Sequence, residues 1–406
     1  MSISKQKLPI WQKNLYVLWV SVFLAGIGFS EFNPFLPLYI STLGHYPVHL
    51  LNLYSGLVYS VTFIVSATTA PLWGKLADKL GRKPMILRAA AGMAIVIFLM
   101  GLVQNVWELI ILRALQGLFA GLVSNSIALV ATETPKNKSG KALGSLAASL
   151  TGGNLIGPLL GGSLASVFSY RTTFFITGFI LALVFVIIFF FVHETDFQPV
   201  TEKKLDSARG VIHELKSPQI IFGLLVTTMI IQAVNYSINP IISLYVKQLM
   251  HNSNGVTFAS GLVAALPGVA TMLVASRFGE LGDRIGTEKI LVIGFIMAFI
   301  FLGLTAFVTN VWELGILRFC VGISDATMLP QVQTLLTKNT PAKITGRIFS
   351  WNQSFQYLGN IAGPILGSVI SGGYGYASVF ISSALLVLLN MILFRTNVVN
   401  SMKKAN

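Results

Sequence analysis

Gly74-Lys75-Leu76-Ala77-Asp78-Lys79-Leu80-Gly81 returns about 205 positions later as Gly279-Glu280-Leu281-Gly282-Asp283-Arg284-Ile285-Gly286. Three more segments keep the same order and almost the same offset. Asn33-Pro34-Phe35-Leu36-Pro37-Leu38-Tyr39 returns as Asn239-Pro240-Ile241-Ile242-Ser243-Leu244-Tyr245. Trp107-Glu108-Leu109 through Leu112-Arg113 returns as Trp312-Glu313-Leu314 through Leu317-Arg318, and Gly157-Pro158-Leu159-Leu160-Gly161 as Gly363-Pro364-Ile365-Leu366-Gly367. The chain is therefore two copies of one module, joined in the same direction. In a strongly hydrophobic chain, parallel halves imply a carrier whose substrate sits between them near the bilayer midplane.

Composition supports the membrane setting. Of 406 residues, 54% are hydrophobic and only 10% charged, where soluble proteins carry about a quarter charged. Apolar stretches of about twenty residues match a hydrocarbon core about 30 Å thick. Twelve are expected, at 15–40, 53–73, 85–104, 107–131, 142–165, 172–192, 219–246, 256–277, 290–308, 312–336, 348–370 and 375–394. The fold class is all-α and polytopic, with six spans per half. A domain at 1–193, a linker at 194–218 and a second domain at 219–406 divide the chain.

The net charge of +14 records topology and not nucleic-acid binding. One side is expected to carry 24 of the 28 Lys and Arg, from Lys5 to Lys404 and including Arg88 at the start of span three. The other side has only Arg171 and Lys247, and Arg113 and Arg318 fall within spans. The positive-inside rule then places both termini and the 194–218 linker in the cytoplasm, in a multi-pass protein of the cell membrane. The short basic start runs into a long span without a small-residue cleavage site, so it reads as a retained helix and not a signal peptide. Cys320 is the only cysteine, which excludes an intramolecular disulfide. The five His are scattered, and neither a metal cluster nor a Walker lysine loop appears, so no cofactor or metal is expected and an ion gradient must supply the energy.

Four motifs carry the chemistry. The Gly74 to Lys83 segment lies between spans two and three. Its glycines permit a tight turn, and Asp78 can cap the next helix or pair with a cation. The second copy keeps Asp283 and Gly286 but has Thr287 and Glu288 where the first has Arg82 and Lys83. In span four, Arg113-Ala114-Leu115-Gln116-Gly117 places a guanidinium where charge is costly and usually functional. In span five, Gly144, Gly153, Gly157-Pro158 and Gly161-Gly162 form a smooth face for close helix packing, with a bend at the proline. Span one holds Ile27-Gly28, then Pro34-Phe35-Leu36-Pro37.

Together these motifs resemble the major facilitator superfamily, and within it the twelve-span drug:proton antiporters, over nearly the whole chain. The resemblance implies a latch of the outward-facing state at Gly74, Asp78, Gly81 and Arg82, weaker at Asp283 and Gly286. It implies that Arg113 assists proton transfer. Gly144, Gly153, Gly157, Pro158, Gly161 and Gly162 match the antiporter motif, which favours exchange over symport. The implied activity is export of drugs or other amphiphiles against protons by alternating access, with a nutrient or sugar uptake symporter of the same fold as the alternative.

Two acids fall well inside spans, Glu31 and Asp325. A carboxylate taken out of water is charged only at a cost, so it can load and release a proton and bias the conformation. Asp325 is the expected proton carrier, with Arg318 seven residues earlier on the same face, and Glu31 either assists or binds cations. The expected substrate pocket is apolar and aromatic with few polar groups, drawn from Glu31, Asn33, Tyr59, Asn154, Tyr236, Asn239, Trp351, Gln353 and Tyr357. The partners expected are a small-molecule substrate, protons and lipid, with the chain acting as a monomer.

Overall fold

The computed structural model describes residues 9–195, 197, 199, 212, 214–215, 217–251, 253–341 and 344–405, with backbone alone at 403–405. Most of the predicted linker lies outside the described residues. In chain order the helices are α1 (Ile10–Ser30), α2 (Leu36–Ile40), α3 (Val48–Leu80), α4 (Arg82–Met100), α5 (Val106–Leu118), α6 (Leu122–Glu133), α7 (Lys136–Val167) and α8 (Tyr170–Phe191). The second half follows with α9 (Pro218–Ile238), α10 (Ile242–Leu249), α11 (Val256–Ile285), α12 (Thr287–Thr305), α13 (Val311–Lys338), α14 (Thr345–Tyr374), α15 (Tyr376–Phe394) and α16 (Asn400–Ala405). A π-helical turn, Arg395–Val399, joins the last two.

Among the described residues, ten helical stretches are long and apolar enough to cross a bilayer, α5 with α6 being one of them. The two remaining predicted spans are α13 and α14, helices of 28 and 30 residues. They are the more polar ones because they carry Arg318, Asp325, Trp351, Gln353 and Tyr357.

Repeated sequence makes repeated local structure. The Asn-Pro pairs stop both first helices: α1 ends at Ser30 and α2 begins at Leu36, while α9 ends at Ile238 and α10 begins at Ile242. Proline removes a backbone donor at each break. Asn105 caps α5 by accepting from Glu108 N, and Asn310 caps α13 by accepting from Trp312 N and Glu313 N. Gly81 and Gly286 turn the chain with φ of 96° and 109°, values that a side chain disfavours.

Helix packing follows the glycines. A Cβ on Gly153 would strike Phe23 O, one on Gly157 would meet Ile27 O, and one on Gly161 would strike Glu31 O. The span-five motif is thus the seat of α1 on α7. Its counterpart seats α9 on α14, where Gly359, Gly363 and Gly367 touch Met229 O, Ala233 O and Ser237 O. Gly144 has nothing within 4 Å.

Packing divides the chain into two compact units: 1–32 with 65–203, and 33–64 with 204–406. The repeat boundary and the packing boundary therefore differ. The N-terminal half of α3 belongs with the second unit because Ser60 Oγ donates to Ile361 O at 2.9 Å and Gly56 lies against Pro364 O and Ser368 Oγ.

Candidate functional site

In the first unit, α1 is followed by its C-cap Glu31, whose backbone N–H closes the helix onto Ile27 O at 2.9 Å. The side chain is 1% exposed, and its Oε1 is buried without a hydrogen-bond partner among the described residues. Gly157 and Gly161 press against the backbone of this residue, so the span-five glycines position Glu31. Arg113 is buried on α5, donates to Gln116 Oε1 at 2.7 Å, and holds its guanidinium 5.1 Å from the Phe32 ring centre. Phe32 in turn leans on Phe174 at 5.9 Å. Sequence neighbours Glu31 and Phe32 thereby tie the acid to the arginine's surroundings.

In the second unit, α13 carries Asp325. Its Oδ1 accepts from Asn235 Nδ2 on α9 at 3.2 Å, and buried Arg318 is its charged neighbour. Arg318 Nε has no hydrogen-bond partner among the described residues. Asn235 escaped the sequence reading, since no motif marks it; only the approach of α9 to α13 does. Tyr236, the next residue, meets Phe63 edge-on at 5.1 Å and has Tyr357 beside it. Buried Tyr59 donates its hydroxyl to Asn33 O.

Not every expected pocket residue joins these groups. Trp351 packs against the apolar core of the second unit, Gln353 is exposed on α14, and Asn239 caps the end of α9. Asn154 is exposed on α7, with its backbone against Gly26.

The loop motif forms the ion pair Arg82 to Asp78 at 2.7 Å, with both side chains part-exposed. Glu194 supplies what the sequence did not reveal. Its carboxylate accepts from Arg82 N at 2.8 Å and Lys83 N at 2.9 Å, capping α4 from more than a hundred residues away. Gly81 is needed there, since a Cβ would sit 2.6 Å from Glu194 Oε2. Gly74 is unobstructed. In the second loop Asp283 is exposed and makes no ion pair among the described residues, while Lys338 Nζ donates to Thr287 Oγ1 at 3.0 Å. Glu133 accepts from Asn14 Nδ2 at 2.5 Å, fastening the end of α6 to α1.

The family model of the Major Facilitator Superfamily matches residues 18–278 and 224–405. The chain belongs to that superfamily. It is 49% identical over 391 residues to Multidrug resistance protein MdtG of Salmonella arizonae, covering 96% of each chain. It is 50% identical over 382 residues to the protein of that name in Escherichia fergusonii, covering 94% of this chain and 93% of the other. Among solved structures, a bacterial homologue of the human lysosomal transporter Spinster, inward-facing and unoccupied, superposes with a TM-score of 0.78 at 14% identity, covering 96% and 97% of the two chains. The human organic anion transporter MFSD10 gives 0.68 at 18%, covering 95% and 100%. The chain is thus a multi-pass membrane transporter, not an enzyme, and acts on small molecules within the bilayer.

Proposed function

We propose that this superfamily member exports drugs or other amphiphilic small molecules in exchange for protons by alternating access. The observation that carries the reading is its near-half identity, across almost the whole chain, to multidrug resistance proteins. The placement of acids supports the proton as the driving ion. Each unit holds one intramembrane carboxylate: Glu31 on its glycine seat, and Asp325 between Asn235 and Arg318. Both change charge by taking up a proton, and a change of charge in a low-dielectric setting shifts which conformation is favoured. Tyr236, Tyr357 and Phe63 supply aromatic surface beside Asp325's partner, suited to varied apolar substrates. The protein works as a monomer without a cofactor, with both termini in the cytoplasm.

The test uses the purified protein in vesicles under an imposed pH gradient. Uphill accumulation of a lipophilic cationic dye, coupled to proton release, is expected; dye movement indifferent to the gradient would overturn proton coupling. Orientation is tested separately in a Cys320→Ser background. Gly44→Cys and Asn105→Cys should react with an impermeant thiol reagent on whole cells, while Ser207→Cys should not, and the opposite pattern would reverse the topology.

A further inference from the structure

Arg88 belongs to no motif above, and its place in the sequence suggested only a topology-setting charge. It lies six residues into α4, about 9 Å along the helix axis, level with Trp73, seven residues before the end of α3. Its guanidinium stacks on the Trp73 ring, 3.6 Å from the centre. One nitrogen, Nη2, donates at 2.6 Å to Ala120 O, a carbonyl at the break between α5 and α6. The other donors are unmatched: Arg88 Nε and Nη1, and Trp73 Nε1, are buried without a hydrogen-bond partner among the described residues. Arg88 also has no ion pair among the described residues. Beside it, Gly121 has φ of 115° and starts α6, with Asn125 Nδ2 and Arg88 Nη2 within 3.2 and 3.5 Å of where its Cβ would stand.

Buried N–H groups without acceptors are costly, and those of a guanidinium that is only partly satisfied are costlier still. Here a cation, an indole N–H and a helix start converge, and no acid among the described residues forms an ion pair with the cation. An oxyanion answers these donors: it accepts from an unmatched guanidinium nitrogen and from the indole, and it is favoured by a helix N-terminus. We propose that Arg88, Trp73 and the break at Gly121 form a binding site for a carboxylate or phosphate group. The group belongs either to a small solute or to the headgroup of an anionic lipid.

The test is binding, not transport, so it stands apart from the export reading. The full-length protein is placed in phosphatidylcholine nanodiscs, and uptake of radiolabelled inorganic phosphate is measured by equilibrium dialysis, with acetate as competitor. Saturable binding is expected, weakened about tenfold or more in Arg88→Gln. Trp73→Phe keeps the stacking ring but loses the donor, and should weaken binding by a smaller factor. Should free phosphate not bind, nanodiscs containing phosphatidylglycerol decide the lipid source: they should raise the melting temperature of the native protein but not of Arg88→Gln. Absence of both effects, or effects equal in the native protein and both variants, overturns the proposal and leaves the donors to ordered water only. Gel-filtration profiles of the variants establish that they are folded.

Discussion

Spans four and ten are copies of one another, yet they have parted in form. Span four breaks: α5 ends at Leu118, Phe119 and Ala120 leave the helix, and α6 restarts after Gly121. Span ten runs unbroken as α13 from Val311 to Lys338. Asp325 occupies the position that Ala120 holds in the first copy. At that level the first half offers a bare carbonyl, answered by Arg88, and the second offers a carboxylate, answered by Asn235 and Arg318. The first-span position shows the reverse: Glu31 in one copy corresponds to Ser237 in the other, each pressed by a motif glycine. Shared packing has been kept while charge was redistributed. A duplicated scaffold can thus carry its acids on different helices because the glycines at these two positions, Gly161 and Gly367, bear on backbone.

Four experiments probe that contrast. The largest effect is expected from Asp325→Asn, which keeps size and polarity but cannot titrate. Uphill transport in vesicles should fall by about a hundredfold, or ~3 kcal/mol of coupling, while substrate binding persists. Glu31→Gln should cost less. If Asp325→Asn still pumps against the gradient, the second half does not hold the proton site.

The shared packing should respond alike in both halves. Gly161→Val and Gly367→Val each force a side chain into a facing carbonyl and should destabilise by about 1–3 kcal/mol, read as lowered melting temperature in detergent. Gly144→Val, with open space around it, should leave the melting temperature near that of the native protein. Unequal losses at Gly161 and Gly367 would mean that the two seats are not equivalent.

The loops should differ. Asp78→Asn removes the one acid paired to Arg82 and is expected to slow transport several-fold, about 1 kcal/mol, at unchanged expression. Asp283→Asn should have little effect, and a larger loss from Asp283→Asn would invert the asymmetry. The smallest effect is expected from Glu194→Gln, which keeps an acceptor at the start of α4 but loses its charge. About 0.5 kcal/mol of stability should disappear, detectable as faster hydrogen exchange at Arg82 and Lys83. Protection equal to that of the native protein would mean that Glu194 contributes nothing as a cap.

What the residues alone determined was the scaffold. Span number, the parallel duplication, the Asn-Pro breaks, the Asn105 and Asn310 caps and the two intramembrane acids are all local or periodic signals. They rest on short-range physics: apolar length against bilayer thickness, proline's missing donor, an amide that caps its own helix. What only the tertiary structure decided was which distant groups meet. Asn235 reaches Asp325, Glu194 caps α4, Ala120 answers Arg88, residues 33–64 join the second unit, and the span-five glycines press on Glu31. These contacts depend on where whole helices are laid against one another. Glycine faces set those placements through backbone contact, and backbone contact leaves no mark in the partner's sequence.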